Sequence, residues 1–248
     1  MIELLQGDCL EVMKGIPDGS VDAIITDPPY GTTACKWDSV IDFELMWEQL
    51  NRIIKPNGAI VLFGSEPFSS ALRMSNIKNY KYDWHWKKSR CGNFQIAKYQ
   101  PLKYIELISV FSVGTHNYYP ILREASKATK SRYNYDFNSN KNKLKHMASG
   151  KFNHVFKNGK DKINPTSIIE FASDKKTVHP TQKPIKLMEY LIKTYTNEGE
   201  TVLDFTMGSG STLVACNNLN RNGIGIEQDE AYFKIAQQRI KENVHKLF

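Results

Sequence analysis

The 248-residue chain has only four cysteines, Cys9, Cys35, Cys91 and Cys216. None forms a Cys-x-x-Cys pair, and no His stands at metal-ligand spacing from them, so a zinc module and a disulfide scaffold are both excluded. Reduced thiols and a cytoplasmic setting are expected, with no metal implied. No apolar run approaches membrane-spanning length, no basic-then-apolar leader opens the chain, and no repeat of solenoid period occurs. Two nucleotide-binding signatures are also missing. Met207-Gly208-Ser209-Gly210-Ser211-Thr212 lacks the Lys of a P-loop, and Leu213 stands where a dinucleotide fingerprint needs its third Gly.

The positive charge present is unevenly placed. There are 33 Lys+Arg against 26 Asp+Glu, a formal net charge of +7. Between Arg123 and Lys162 the counts are eleven and three, so this segment carries the basic surplus. It interleaves Tyr133, Tyr135, Phe137, Phe152 and Phe156 with its Lys and Arg. Such a stretch reads as a footprint for phosphates, or else as a solvated linker. The chain therefore divides into residues 1–111, a basic insertion over 112–178, and residues 179–248.

Outside the insertion, strand and helix patterns alternate. Val21–Thr26, Ala59–Phe63, Tyr80–Trp86, Ile105–Phe111, Thr201–Phe205 and Gly223–Glu227 read as strands. Phe43, Leu45, Met46, Leu50, Ile53 and Ile54 keep helical spacing and stop before the turn signal Pro56-Asn57-Gly58. Further helices are expected from Ser65 or Glu66 with Pro67 in the first turn, over Ile185–Tyr195, over Ser211–Leu219, and from an Asp229 cap onward. This is an α/β pattern: a doubly wound, mostly parallel seven-stranded sheet with one reversed edge strand.

The most informative residues end the Val21–Thr26 strand. Asp27-Pro28-Pro29-Tyr30 puts an acid, two prolines and an aromatic at the carboxyl edge of a sheet, where open α/β folds bind ligands. Neither proline has an N–H, so nearby carbonyls lack internal donors. Asp27 and the Pro28 carbonyl then offer two acceptors beside a Tyr ring, a set that suits an exocyclic amine on a flat base. Alone, the tetrapeptide is equally an ordinary strand-ending turn. The next loop holds Trp37, which suits a core position as well as a nucleic-acid contact.

The last third supplies a second set. In Phe205-Thr206-Met207-Gly208-Ser209-Gly210-Ser211-Thr212, glycines let the backbone approach a ligand and the helix N-terminus offers free N–H groups. Glu227, at the tip of the next strand, suits two ribose hydroxyls. His179-Pro180-Thr181-Gln182-Lys183-Pro184 opens a helix upstream, and Gly7-Asp8-Cys9 follows an apolar stretch near the N-terminus.

Together, and in this order, these motifs resemble the β class of DNA amino-methyltransferases, a circularly permuted arrangement. The resemblance implies S-adenosylmethionine as cofactor and duplex DNA as partner, with methylation of adenine N6 or cytosine N4. It implies catalytic roles for Asp27, Pro28, Pro29 and Tyr30. It implies a cofactor site of Asp8, Cys9, Asp27, Thr181, Lys183, Phe205, Thr206, Gly208, Ser209, Gly210, Ser211, Thr212 and Glu227. Thr181 and Lys183 would border the methionine portion, and Asp8 the cofactor's adenine amine. Asp at the head of the catalytic motif favours adenine over cytosine by association. The resemblance also extends to homodimers, to a cognate restriction nuclease, and to a bacterial or phage-infected cytoplasm. In one departure, the family's Asp-Pro-Phe becomes Asp204-Phe205-Thr206. That change motivates a different reading, an inactive DNA-binding regulator on the same fold. A protein or ribosomal RNA methyltransferase would carry Asn where Asp27 stands.

Overall fold

The computed structural model describes residues 1–32, 38–124, 162–174, 178 and 182–244. Most of the basic insertion, the Thr33–Trp37 loop and Thr181 lie outside the described residues. Two compact units are present: Met1–Tyr119 with Ser167–Phe248, and Pro120–Thr166. In the smaller unit, β6 (Arg123–Glu124) pairs antiparallel with β7 (Lys162–Ile163).

The larger unit is built on strands β1 (Ile2–Gln6), β2 (Val21–Thr26), β3 (Ile54–Gly64), β4 (Tyr80–Lys87), β5 (Ile105–Phe111), β8 (Ile168–Glu170), β9 (Thr201–Asp204) and β10 (Asn222–Glu227). Among the described residues they form one eight-stranded sheet, ordered β1-β10-β9-β2-β3-β5-β4-β8. The helices are α1 (Cys9–Met13), α2 (Phe43–Ile53), α3 (Phe68–Ser75), α4 (Ile185–Tyr195), α5 (Ser211–Asn218) and α6 (Glu230–Val244).

Every residue of β2 is buried, because helices cover both faces of the sheet. Ile24 and Leu203 pack with Met46, Leu50 and Ile53 of α2 and with Leu72 of α3. Ala23, Ile25 and Val61 face the other way, onto Leu187, Leu191 and Ile192 of α4. A third cluster joins Leu213 of α5 to Phe233, Ala236 and Ile240 of α6. The expected cap forms, with Asp229 accepting from Ala231 N at 2.9 Å, and Asp42 caps α2 in the same way, accepting from Leu45 N at 3.0 Å.

The mostly parallel α/β sheet is as expected, with three differences of detail. There are eight strands rather than seven, because β8 adds to β4 in parallel. At three residues, with only Ile169 buried, β8 is too short for a period-2 pattern to reveal. The reversed strand is β5, and it lies inside the sheet between β3 and β4 rather than at an edge. The chain leaves β4 by a long loop and returns antiparallel into the slot beside β3. Lastly, Pro56-Asn57-Gly58 does not separate a helix from a strand. It forms a bulge inside β3, with Val21 opposite Ile54 and Ala23 already opposite Ala59.

Candidate active site

The Asp27-Pro28-Pro29-Tyr30 segment leaves β2 at the centre of the sheet, where β2 pairs with β9 on one side and β3 on the other. Its path is fixed by a buried acid that the sequence reading passed over. Asp38 accepts hydrogen bonds from the backbone N–H groups of Tyr30, Gly31 and Thr32 at 2.7, 2.9 and 2.9 Å. Thr206 Oγ1 donates to the Asp27 carbonyl at 3.0 Å, tying the motif to the glycine-rich turn after β9. The Tyr30 ring stacks on Phe68 with centroids 5.0 Å apart, and its hydroxyl donates to Asp27 Oδ1. Asp38→Ala removes the acceptor for three N–H groups. It is expected to cost about 1–3 kcal/mol in chemical denaturation, the usual scale for losing hydrogen bonds to a charged acceptor.

Asp27 sits in a buried charge cluster. Lys183 Nζ lies 2.5 Å from Asp27 Oδ2 and 3.0 Å from Glu106 Oε1, and Lys88 Nζ reaches Glu106 Oε2 at 3.3 Å. Lys183 also stands 5.1 Å over the Phe63 ring. Burial pushes the Asp27 carboxyl up and the charge of Glu106 adds to this, against the pull of Lys183. Burial raises Glu106 too, but Lys183 and Lys88 together more than offset it and hold that carboxyl below its ordinary range. Burial disfavours the Lys183 ammonium, yet its two carboxylate partners raise its pKa well above normal and keep it charged. Glu106 was legible as the one acid in the apolar Ile105–Phe111 run, and it escaped notice because the strand was read for its pattern alone.

The other half of the site is built on β9 and β10. Asp204 is buried and accepts from Thr26 Oγ1 at 2.9 Å, Thr212 Oγ1 at 2.5 Å and Thr206 N at 3.3 Å, locking β2, β9 and α5 together. Gly208 and Gly210 take φ of +51° and +76°, which an L side chain adopts only under strain. Glu227 receives the turn: its Oε2 accepts from Gly208 N at 2.9 Å and its Oε1 from Asp229 N at 2.8 Å. Arg239 of α6 donates to the Ser209 carbonyl at 2.5 Å and to Ser209 Oγ at 2.8 Å. Sequence spacing gave no hint of this brace. Parallel pairing of β1 with β10 sets Gln6 opposite Glu227 and brings Asp8 to the same edge. There Asp8 caps α1, accepting from Leu10 N at 2.9 Å. Cys9 beside it is buried, which pushes its thiol up to about 11 and leaves it unreactive.

Burial raises the Asp204 carboxyl from its ordinary 3.8 to about 7, with the three donors holding it back from a larger shift. A carboxyl raised on folding adds stability at low pH, and that contribution fades as pH climbs through the folded value. Relative to Asp204→Asn, the native protein should therefore lose stability between about pH 4 and pH 7, the interval between the two values. Urea unfolding of both proteins at pH 5 and pH 8 checks this, and an unchanged difference would rule out the burial argument.

A cleft of about 1280 Å³ runs along this edge and takes in both halves. It is lined by Asp8, Cys9, Asp27, Pro28, Pro29, Tyr30, Lys183, Phe205, Thr206, Gly208, Ser209, Ser211, Thr212 and Glu227. Of the residues expected at the site, Gly210 shapes the turn without lining the cleft, and Thr181 lies outside the described residues. The structure sets Lys183 directly on the Asp27 carboxylate. The cleft is larger than the roughly 300–1,000 Å³ of a single small-molecule pocket, so two ligands can meet in it. Among the described residues, no group of three or more His, Cys, Asp and Glu could hold a metal ion.

A family model described as DNA methylase, of the N6/N4 methyltransferase type, matches residues 21–238. The chain belongs to this family, and its motif order is that of the permuted β class. Among characterised relatives it is 27% identical over 247 residues to the Type II methyltransferase M.HpaI of Haemophilus parainfluenzae, covering 96% of this chain and 73% of that one. It is likewise 27% identical to M2.DpnII of Streptococcus pneumoniae, over 96% of this chain and 89% of the relative. Its fold superposes on the crystal structure of an M1.HpyAVI–SAM complex with a TM-score of 0.64, at 28% identity, covering 96% of this chain and 100% of that one. The protein is an enzyme, and its cofactor is S-adenosylmethionine. The residues present fit that cofactor: a carboxylate at the β10 tip for hydroxyls, two positive-φ glycines for close backbone approach, and several acids along the cleft for a cationic ligand. No described helix is long and apolar enough to cross a membrane.

Proposed function

We propose that this enzyme methylates the N6 amine of adenine in duplex DNA, at a base extruded from the helix into the cleft beside Asp27. The observation that carries the reading is the joining of the Asp27-Pro28-Pro29-Tyr30 edge to the Glu227 and glycine-turn edge in one cleft. Asp27 accepts a hydrogen bond from the target amine and so favours a pyramidal nitrogen with a localised lone pair. Lys183 holds that carboxylate before the base arrives. Because it also contacts Glu106, it can release one Asp27 oxygen without being stranded. S-adenosylmethionine, when bound, supplies an electrophilic methyl on a neutral leaving group. The upward push on Asp27 suits it to take the proton that the amine sheds after transfer. Glu227 holds the cofactor's ribose hydroxyls, and Tyr30, backed by Phe68, offers an aromatic face to the base. Extrusion costs a few kcal/mol, which stacking and new hydrogen bonds partly offset. The basic insertion positions the duplex, and a homodimer and a cognate nuclease belong to the same proposal.

The test uses a mixed-sequence duplex and a cofactor with an isotopically labelled methyl, followed by mass spectrometry of the digested nucleosides. Labelled N6-methyladenine is the expected product. Labelled N4-methylcytosine would move the target to cytosine, and no label on any DNA would overturn the reading in favour of a non-catalytic regulator. Glu227→Ala is expected to weaken cofactor binding about tenfold or more, the scale of a lost charged hydrogen bond. Unchanged affinity in calorimetry would remove Glu227 from the ribose.

A further inference from the structure

The loop joining β4 to β5 is a second basic element, separate from the central insertion. From Lys88 to Tyr104 it holds four Lys or Arg, of which Lys88 pairs with Glu106, and no Asp or Glu. Its neck is closed by hydrogen bonds. Lys88 N donates to the Tyr104 carbonyl at 2.8 Å, Lys103 N to Asn93 Oδ1 at 2.6 Å, and Asn93 Nδ2 to the Pro101 carbonyl at 3.0 Å. Within it, a 3-10 turn at Phe94–Ile96 is continued by Tyr99 N donating to the Ile96 carbonyl at 2.9 Å.

This ordered loop has no core of its own. Phe94 is 67% exposed and Tyr99 87% exposed, with Ile96 and Leu102 also open to solvent. Four exposed apolar side chains within nine residues of a closed loop suit an interaction surface, since folding alone gains nothing from them. The location narrows the partner: Arg90, Gly92, Asn93 and Lys103 line the same cleft as Asp27. Positive charge calls for a polyanion, and exposed aromatic rings at the mouth of a base-accepting cleft call for nucleobases.

We propose that the Lys88–Tyr104 loop opens the duplex at the target. Arg90 and Lys98 bind backbone phosphates there, and Tyr99, with Phe94 beside it, stacks in the gap that the extruded base leaves. The proposal rests on the base-extrusion reading above. It differs from the role given to the insertion, because this loop belongs to the same compact unit as Asp27 and acts at the target pair itself.

The test compares kcat/KM for methylation of a matched duplex with that for the same duplex carrying a mismatch opposite the target. Tyr99→Ala is expected to lower the matched value about tenfold, the scale of one lost base–aromatic stack. Most of this should return on the mismatched duplex, where unpairing has already occurred. Cofactor affinity should not change. Phe94→Ala should give a smaller loss with the same rescue. Arg90→Gln and Lys98→Gln should each lower the slope of log affinity against log salt by about one. An equal loss on both duplexes would overturn the wedge, as would no loss in either aromatic variant. Loss of binding to anionic vesicles with DNA methylation intact would reassign the loop to a membrane. Failure of the wild-type protein to label any DNA would sink the extrusion reading itself, and the loop's role with it.

Discussion

Lys183→Met is expected to lower the unfolding free energy by about 3–5 kcal/mol, the usual cost of removing one partner from a buried ion pair. The cause lies in what remains. Asp27 and Glu106 share this ammonium in the native protein, and without it the two carboxylates face each other, with Lys88 beside Glu106 and the Tyr30 hydroxyl on Asp27. The pair would then hold a proton more readily, as closely spaced acids do. Raised carboxyl pKa values make stability fall as pH rises, so the loss should be greater at pH 8 than at pH 5. Adding Glu106→Gln to the same chain removes the repulsion and should recover most of the stability. Chemical denaturation of the two variants at both pH values tests the argument. If the single variant loses under 1 kcal/mol, or the second change gives no recovery, the cluster is not held as described. Methyl transfer should stay low even in the recovered protein, since Lys183 would no longer prepare Asp27.

Asp27→Ala should lower methyl transfer at least about a hundredfold, the scale for removing one preorganised group from a reacting centre. Cofactor binding should remain measurable, because the glycine turn follows β9 and Glu227 ends β10, while Asp27 follows β2. Asp27→Asn keeps the shape and the Tyr30 contact but places an amide against Lys183, and it should be similarly inactive. Activity within twofold of wild type in either variant would remove Asp27 from the amine. Loss of cofactor binding together with activity would instead mean that the two halves of the cleft cannot be separated in this way.

Two kinds of information were legible before the fold was known. The strands β2, β3, β9 and β10 announce themselves as apolar runs, and the motifs at their tips are local in sequence. The pairing of β1 with β10 followed from the family order, which required Asp8 and Glu227 to meet. What escaped was set by contacts between distant residues. Nothing local to Asp38 says that it will accept three N–H groups from residues 30–32. Arg239 reads as one more basic residue on a terminal helix until the Ser209 carbonyl is found beside it. Lys183 was placed in the site by its motif, but its partners came from β2 and β5, and only packing brings those strands to one helix entrance. The basic surplus was read as a single block because charge was summed over the insertion. The shorter run at 88–103 was hidden by the acids of the surrounding segments.

The pairing of β1 with β10 also governs the order in which this chain can be completed. Met1 N donates to Asn222 Oδ1 at 2.6 Å, a contact between positions 221 apart in the chain. Among the described residues β1 pairs with β10 alone, so during synthesis it waits for β10 to emerge, as one edge of β2 waits for β9. Such long-range closure is slow, and an open apolar edge invites pairing with other chains. A chain cut short near residue 200 would retain Asp27, Lys183 and Glu106 yet carry that edge permanently. Its fate would be aggregation rather than a partly active enzyme.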